Sequence, residues 1–194
     1  MDRETECALV ARLREGDADA FDAIYEAFNA RLFTFLLRLC RRREVAEDLL
    51  EELWLRLVKY APRLRPDSRL GPWLFTVARH LHVSYIRSQV LEDSAMASLI
   101  ALWPVATERS SPFEAAAANE LERRIERALA CMPVASREVL LLVAVAGLDH
   151  ADAAAVCGIS PEALRQRLSR ARASLARSLE ADCARATLLG EVTP

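Results

Sequence analysis

Apolar residues recur every three or four positions along most of this chain, which is the spacing of amphipathic helices. Gly16 marks the end of the first helix, and either Asp17 or Asp19 can cap the second. Pro62 and Pro66 interrupt the pattern after the fourth helix. The helices that this pattern predicts in the N-terminal part are residues 7–14, 21–28, 31–39, 44–60 and 72–89.

The C-terminal part keeps the helical spacing and adds residues that start and stop helices. Gly147 closes a strongly apolar helix, and Asp149 caps a short one that ends at a turn containing Gly158. Ser160 and Pro161 then suit the cap and the first position of a long helix. No segment keeps the two-residue period of a strand, so the predicted fold class is all-α. The predicted helices here are residues 120–131, 134–146, 149–156 and 161–181.

The helical pattern weakens between residues 90 and 113, where Pro104, Pro112 and several serines occur. We therefore predict two small helical domains, an N-terminal bundle (1–89) and a C-terminal helix-turn-helix domain (114–182). A flexible linker (90–113) joins them, and a tail (183–194) follows. An apolar cluster at residues 99–103 leaves two interpretations of the linker open. It is either a short helix docked on a neighbouring domain or a tether that finds its surface only in a complex.

Composition and charge exclude several classes of protein. Hydrophobic residues make up 53% of the chain and charged residues 28%, which provides a core and is unlike a disordered protein. The 26 basic and 28 acidic residues leave a net charge of −2, so any nucleic-acid binding must depend on local basic surfaces. No apolar run approaches the roughly 20 residues of a membrane span, and the charged N-terminus is unlike a signal peptide. We therefore expect a cytoplasmic protein without membrane insertion.

The residues that most often carry metal sites or catalysis are sparse and scattered. Five cysteines lie far apart, none of them in a CxxC pair, and the chain has three histidines. This spacing argues against a disulfide framework and supplies no set of metal ligands. No nucleophile and base occur at a spacing that suggests catalysis, so a helical enzyme lacks support. We expect no metal, no cofactor and no catalytic residue.

Residues 149–177 predict a helix-turn-helix, in which the second helix enters the major groove of DNA. In that helix Leu164, Leu168 and Ala171 follow the spacing of a buried stripe, which Leu175 continues. Residues 160–177 contain five arginines and one glutamate, a local excess of positive charge that suits phosphate contacts. The alternative is a solvated basic helix on an ordinary bundle. The polar residues on the remaining arc are Arg165, Gln166, Ser169, Arg170 and Arg172.

A second basic stretch, residues 62–89, interleaves aromatic and cationic side chains. Aromatic rings stack on unpaired bases and cations hold the backbone, so the stretch suits single-stranded nucleic acid. The alternative is that Trp73 and Phe75 simply belong to the core. The cationic residues are Arg63, Arg65, Arg69, Arg79 and Arg87, with His80 and His82 as further donors.

A cluster of acidic side chains, here called the acidic face, lies on one side of the predicted helix at residues 44–60. At 100° per residue its members span about 140°. Like charges this close repel one another by a few tenths of a kcal/mol per pair, and the cluster is one candidate interaction surface. The alternative is an ordinary solvated face beside the arginines at 41–43, with glutamate favoured near a helix start. The acidic face consists of Glu44, Glu47, Asp48, Glu51 and Glu52.

Taken in order, these motifs resemble the extracytoplasmic-function (ECF) sigma factors of the sigma-70 family. DAFDAIYEAF (19–28), RLFTFLLRL (31–39) and AEDLLEELWLRL (46–57) are similar to the first conserved helices of that family. WLFTVARHL (73–81) with YIR (85–87) resembles its promoter-melting helix. MPVASREVLLL (132–142) and GISPEALRQRLSRARASL (158–175) resemble its C-terminal helix-turn-helix. The resemblance covers nearly the whole chain except the linker and the last dozen residues.

The resemblance implies a promoter-specificity subunit that has no catalytic activity of its own. Its implied partners are core RNA polymerase (the clamp helices of the largest subunit and the beta flap), promoter DNA and an anti-sigma factor. The implied polymerase-binding residues are Glu47, Asp48, Glu51, Glu52 and Trp54. The implied contacts with the melted −10 element are Arg63, Arg65, Arg69, Trp73, Arg79, His80, Ser84 and Arg87. The implied contacts with the duplex −35 element are Ser160, Arg165, Gln166, Ser169, Arg170 and Arg172.

The chain departs from the family pattern at several of these positions. Glu51 stands where the family usually has glutamine, which makes the acidic face more acidic. His80 stands in place of asparagine and Ser84 in place of aspartate, both near the −10 strand. The run EALRQ (162–166) replaces the commoner GTVK pattern, so the family's promoter sequences do not transfer. A rival interpretation is a helix-turn-helix regulator that binds duplex DNA by itself and dimerises through its N-terminal helices.

Overall fold

Helices make up the described part of the chain, as the spacing of its apolar residues predicts. The computed structural model describes residues 2–100 and 120–190, and the side chains of residues 2–90 and 121–181. No strand occurs within these ranges, so the all-α fold class is confirmed. The helices are α1 (Arg3–Arg14), α2 (Ala18–Cys40), α3 (Arg43–Tyr60), α4 (Leu70–Ile100), α5 (Glu120–Ala130), α6 (Val134–Ala144), α7 (His150–Cys157) and α8 (Pro161–Gly190), with a 3₁₀ turn at Ala61–Arg63.

The connection between α1 and α2 depends on one aspartate. Asp17 accepts hydrogen bonds from the amides of Asp19 at 2.9 Å and Ala20 at 3.3 Å, so Asp17 is the cap of α2 and Asp19 is not. Arg12, near the end of α1, donates to the other carboxylate oxygen of Asp17 at 2.7 Å. Gly16 between them has φ +84°, a left-handed conformation that glycine adopts without a steric penalty.

One helix, α2, replaces the two that were predicted at residues 21–28 and 31–39. No glycine or proline lies between these segments, so nothing interrupts the backbone hydrogen bonds. Asn29, at the expected break, uses its side-chain oxygen to accept a hydrogen bond from the Trp54 indole at 3.2 Å. The buried residues of α2 form one continuous stripe: Ala20, Ile24, Phe28, Leu32, Phe35, Leu36 and Leu39.

The core of the first part of the chain lies where α2, α3 and α4 pack together. Phe35 of α2 meets Phe75 of α4 edge to face, with ring centroids 5.3 Å apart. Each fully buried leucine or phenylalanine contributes roughly 1.5–3 kcal/mol relative to an exposed one. The largest fully buried side chains here are Phe35, Phe75, Ile24, Leu32, Leu36, Leu53, Leu57, Leu70 and Leu74.

The helix α4 begins earlier and ends later than the predicted helix at residues 72–89. It starts at Leu70, with Pro72 in its first turn, where a missing amide proton costs nothing. It continues to Ile100, so the first part of the segment predicted as a flexible linker is helical. The remainder of that segment, including the rest of the apolar cluster at residues 99–103, lies outside the described residues. The chain divides into two compact units, Met1–Phe113 and Glu114–Pro194.

The second unit consists of α5 to α8 around an apolar α6. The buried Arg137 donates hydrogen bonds to the carbonyl oxygens of Ala130 at 3.2 Å and Met132 at 3.0 Å, and so satisfies acceptors at the end of α5. The helix α6 ends at Ala144 rather than residue 146. The helix α8 continues to Gly190, so most of the segment predicted as a tail (183–194) extends the last helix.

Candidate nucleic-acid interface

The helices α7 and α8 form the predicted helix-turn-helix. Asp149 accepts a hydrogen bond from the Asp152 amide at 2.8 Å, which caps α7 as predicted. Gly158 has φ +66°, and its amide and that of Ile159 each donate at 3.1 Å to carbonyls in the last turn of α7. The Ser160 hydroxyl then accepts from the Ala163 amide at 3.1 Å and caps α8. Local capping and one glycine therefore fix the angle between the two helices.

The helix α8 has one buried and one exposed face over the predicted stretch. Leu164, Leu168 and Ala171 are buried, and Leu175 is half-buried at the end of the same stripe. All six predicted −35 residues are exposed, five of them on the arc away from the buried stripe and Ser160 at the cap of the helix. They are Ser160, Arg165, Gln166, Ser169, Arg170 and Arg172.

The exposed face of α8 offers donors that can bind both phosphates and base edges. A shallow depression in it is lined by Arg165, Gln166, Ser169 and Arg170. Arg165 forms an ion pair with Glu162, one turn earlier. The Nε of Arg170 donates to the Gln166 carbonyl at 3.4 Å, which holds this guanidinium along the helix. Arginine pairs with guanine edges or phosphates, and glutamine with adenine.

The second predicted surface consists of the loop before α4 and one side of α4. Trp73, His80, Ser84 and Arg87 lie within about 60° of one another around the helix at 100° per residue. We call these four residues the α4 face. Trp73 is half-buried, and the other three are exposed. Arg63, Arg65 and Arg69 are exposed in and beside the loop at residues 64–70.

Three other residues of this stretch do not belong to the α4 face. Arg79 is half-buried and lies about 80–140° away from the members of the face at 100° per residue. His82 is buried, with 3% of its surface exposed, so it is not the further donor that was predicted. Phe75 is fully buried against Phe35, so the core interpretation holds for that ring.

The acidic face lies on α3 and is exposed. Glu47, Asp48 and Glu51 are exposed, and Glu52 is half-buried beside Arg56, with which it pairs at 2.8 Å. Arg43 lies one turn before Glu47 and forms an ion pair with it at 2.8 Å. Exposed ion pairs of this kind contribute little to stability, so they leave the carboxylates available to a partner.

Trp54 does not lie on the surface with the acidic face, although it was predicted to bind polymerase with it. Only 8% of Trp54 is exposed. Its ring packs against Phe21 and Tyr25, with centroids 5.8 and 5.0 Å away, and its indole donates to Asn29. Large apolar area and a satisfied N–H make it a packing residue that holds α3 on α2.

Two apolar residues that the sequence analysis missed extend the acidic face toward the end of α3. Leu55 is 60% exposed and Val58 57% exposed. Leu55 lies one turn after Glu51 and Val58 two turns after it, so both fall on the same side of the helix. The signal was present in the sequence, because their positions fall on the arc of the acidic residues and outside the buried stripe.

The described residues show no other candidate chemistry. Within residues 2–90 and 121–181 no group of three or more histidine, cysteine or acidic residues could hold a metal ion. Burial raises the pKa of the Cys40 thiol to about 12, which keeps it protonated. No helix in the described ranges is both long and apolar enough to cross a membrane.

Two family models match the chain, one in each unit. A model of sigma-70 region 2 matches residues 24–91, which contain the acidic face, the loop and the α4 face. A model of sigma-70 region 4 matches residues 122–175, which contain the helix-turn-helix.

Known relatives match most of the chain. The ECF RNA polymerase sigma factor SigC of Mycobacterium tuberculosis is 30% identical over 190 residues, which cover 93% of this chain and 95% of the relative. The ECF RNA polymerase sigma factor EcfG of Rhodopseudomonas palustris is 33% identical over 155 residues, 78% of this chain and 80% of the relative. The sigma factor RpoE of Bartonella quintana, solved with the anti-sigma factor NepR, has a TM-score of 0.71 at 25% identity and covers 84% of this chain and 98% of that one. The chain belongs to the ECF sigma factors of the sigma-70 family.

Proposed function

We propose that this chain is a promoter-specificity subunit, which binds core RNA polymerase and directs initiation at promoters with −10 and −35 elements. The observation that carries the proposal is the exposed polar face of α8 above a buried stripe, within the sequence that matches sigma-70 region 4. Synthesis of RNA remains with the polymerase, and the chain supplies binding energy alone. It acts in the cytoplasm, where the polymerase and the DNA are.

The helix α8 binds the −35 element as duplex DNA. Its exposed stretch fits the major groove, which is about 12 Å wide and admits a helix. Arg165 and Arg170 are the base-reading residues, because they line the same depression as Gln166. Ser160, at the N-terminus of the helix, contacts a phosphate, where the helix dipole favours an anion. Ser169 and Arg172 flank the same face.

The loop at residues 64–70 and the α4 face bind the −10 element as a melted strand. Trp73 is half-buried, so part of its ring is exposed while the rest packs within the protein. The centroids of the Trp73 and Tyr60 rings are 6.5 Å apart. A fixed ring is a good stacking surface for an unpaired base. The surrounding cations hold the backbone, and His80 and Ser84 contact bases further along. Those cations are Arg63, Arg65, Arg69 and Arg87, with Arg79 supporting the helix from its side.

The acidic face docks on the clamp helices of the polymerase largest subunit. Glu47, Asp48 and Glu51 supply charge, and Leu55 and Val58 supply apolar area next to it. Charges speed association and fix orientation, while buried apolar area contributes affinity. Glu52 lies at the edge of this surface. Trp54 acts from beneath it by fixing α3. The second unit contacts the beta flap.

An anti-sigma factor controls the chain by covering its polymerase-binding and DNA-binding faces. The support is the relative from Bartonella quintana, which was solved in complex with its anti-sigma factor. A carboxylate-rich surface with apolar residues at one end also suits a protein partner better than DNA.

Run-off transcription from a mixed promoter library tests the proposal. Core RNA polymerase is assayed with and without the chain, and the start sites are mapped. We expect new start sites that share a spaced pair of upstream elements. A variant with Arg165→Ala and Arg170→Ala should reduce those transcripts, whereas Arg123→Ala, an exposed arginine on α5, should not.

The absence of chain-dependent transcripts would contradict the proposal. If the folded chain then bound promoter duplex without polymerase and sedimented as a dimer, it would be a helix-turn-helix regulator. Sigma factor activity requires the opposite result in both measurements.

A further inference from the structure

Glu6 of α1 provides the cap of α4, although 64 residues separate them. Its Oε1 accepts hydrogen bonds from the amides of Leu70 at 2.6 Å and Gly71 at 3.4 Å. These are the first two amides of α4. The third position is Pro72, which has no amide proton, and the Trp73 amide already bonds within the helix to the Arg69 carbonyl. One carboxylate therefore satisfies every free amide of the first turn.

Arg3, one turn before Glu6, holds the other side of the loop. Its guanidinium donates to the carbonyl oxygens of Asp67 and Ser68 and pairs with Glu6 at 3.3 Å. Only 13% of the Glu6 side chain is exposed, so water competes little for these bonds. Together the two residues of α1 fix the loop at its middle and at its end.

Two exposed arginines of the loop lie next to these anchors, Arg65 before residues 67 and 68 and Arg69 between them and Leu70. Leu64 and Leu70 are buried at its two ends, while Arg65 and Arg69 are exposed. Arg65 pairs with Asp67 through two hydrogen bonds of 3.1 and 3.2 Å, and the Ser68 amide donates to the Arg65 carbonyl at 2.9 Å. The position of Arg65 therefore depends on the position of residues 67 and 68, to which Arg3 bonds.

We propose that Glu6 and Arg3 are positioning residues for −10 recognition. They keep the loop and the first turn of α4 in the conformation that receives the melted strand. The Glu6 carboxylate also occupies the N-terminus of α4, which would otherwise attract a phosphate, and so leaves the DNA backbone to the loop arginines. Both residues lie outside the region 2 match, which begins at residue 24. The inference depends on the proposed role of the loop in −10 binding.

The test measures how well the holoenzyme discriminates between −10 sequences. The probes are single-stranded oligonucleotides that carry the −10 element of a promoter recovered from the run-off library, or the same element with its bases substituted. Holoenzymes are made with the wild-type chain, Glu6→Ala, Glu6→Gln, Arg3→Ala and Glu4→Ala. Glu4→Ala is the matched control, because it removes an exposed carboxylate from the same turn of α1.

We expect Glu6→Ala to reduce the ratio of affinities for the two probes by about fivefold or more, the low end of what stacking one base contributes. Affinity for core polymerase should stay unchanged. Glu6→Gln should keep part of the discrimination, because its amide oxygen still accepts the hydrogen bonds. Hydrogen exchange of residues 64–71 should speed up in Glu6→Ala and Arg3→Ala and match the wild type in Glu4→Ala.

The outcomes separate this inference from the proposed function. If the wild-type holoenzyme itself fails to discriminate, the proposed role of the loop is wrong. If the wild type discriminates and Glu6→Ala does so equally well, or the exchange of residues 64–71 is unchanged, the positioning role is overturned. Arg3→Ala decides the question if Glu6→Ala does not fold, because Arg3 is half exposed and its loss leaves the cap in place.

Discussion

Single side chains at helix ends stabilise this molecule through charge as well as geometry. The hydrogen bond from Arg12 lowers the pKa of Asp17 below its ordinary value of 3.8, and the amides that Asp17 caps lower it further. A carboxyl group whose pKa is lower in the folded than in the unfolded state stabilises the fold at pH values above its unfolded-state pKa. That contribution is lost as the pH falls through the folded pKa.

We predict that Asp17→Ala lowers the melting temperature at pH 7. The difference from the wild type should disappear as the pH falls below 3.8 and through the folded-state pKa of Asp17. Thermal unfolding followed by circular dichroism across this pH range measures it. Asp22→Ala, which removes an exposed carboxylate from the same helix without removing a cap, is the control. A difference that stayed constant with pH would mean that the carboxylate charge does not matter.

Base reading and phosphate contact can be distinguished at single arginines of α8. Arg170→Ala should weaken binding of holoenzyme to its −35 element by roughly 1–3 kcal/mol and leave binding to a scrambled duplex nearly unchanged. Fluorescence anisotropy with the two duplexes measures both affinities. Equal losses on the two duplexes would reassign Arg170 to the phosphates. Arg123→Ala on α5 should change neither.

At the scale of the helices, one glycine sets the turn between α7 and α8. Gly158 has φ +66°, and a Cβ there would meet no atom within 4 Å. The cost of an alanine at this position is therefore the strain of its left-handed backbone conformation alone. Gly158→Ala should destabilise the helix-turn-helix by about 1 kcal/mol, and Gly158→Asn by less, because asparagine tolerates this conformation better. Hydrogen exchange in α7 and α8 under increasing denaturant measures the change. Equal stability of all three chains would show that the turn relaxes.

The helix α3 combines charge and exposed apolar area on one side. Replacing Leu55 and Val58 by serine should weaken binding to core polymerase by about 1.5–3 kcal/mol. Leu55 is 60% and Val58 57% exposed, so burying both in the complex removes about as much apolar area from water as burying one fully exposed side chain. The loss should persist at high salt. Val90→Ser changes an equally exposed residue of α4 and should leave polymerase binding as it is. If that control weakens binding as much, the surface is not specific to α3.

At the scale of the whole molecule, charge is distributed unevenly in a chain with a net charge of only −2. The carboxylates of α3 and the arginines of α8 belong to separate compact units. Opposite local charges on separate units allow one chain to bind a polymerase and DNA at once, with each contact sensitive to salt.

A triple variant should greatly reduce holoenzyme formation and leave the helical content unchanged. It reverses three charges of the acidic face by Glu47→Lys, Asp48→Lys and Glu51→Lys. Wild-type binding should weaken as salt rises, and binding by the variant should depend less on salt. Titration of labelled core polymerase at two salt concentrations measures this. The control reverses Glu4, Asp22 and Glu26, which are exposed elsewhere on the same unit. Normal holoenzyme formation by the first variant would refute docking through the acidic face.

Features that depend on neighbouring residues could be predicted from the sequence. The caps at Asp149 and Ser160, the turn at Gly158 and the two faces of α8 follow from hydrogen bonds and spacing within a few residues. The all-α fold class follows from the same local periodicity. For this reason the sequence alone predicts almost the whole helix-turn-helix.

Features that depend on residues distant in sequence needed the tertiary structure. His82 falls at a position that spacing alone left open, and only the packing of neighbouring helices shows that it is buried. The start of α4 depends on Glu6, which no local rule connects to Leu70. Sequence by itself determined where helices can form and which charges they carry, because these depend on local backbone hydrogen bonds. The tertiary structure decided which side chains remain exposed to a partner, because burial depends on contacts between elements far apart in the chain.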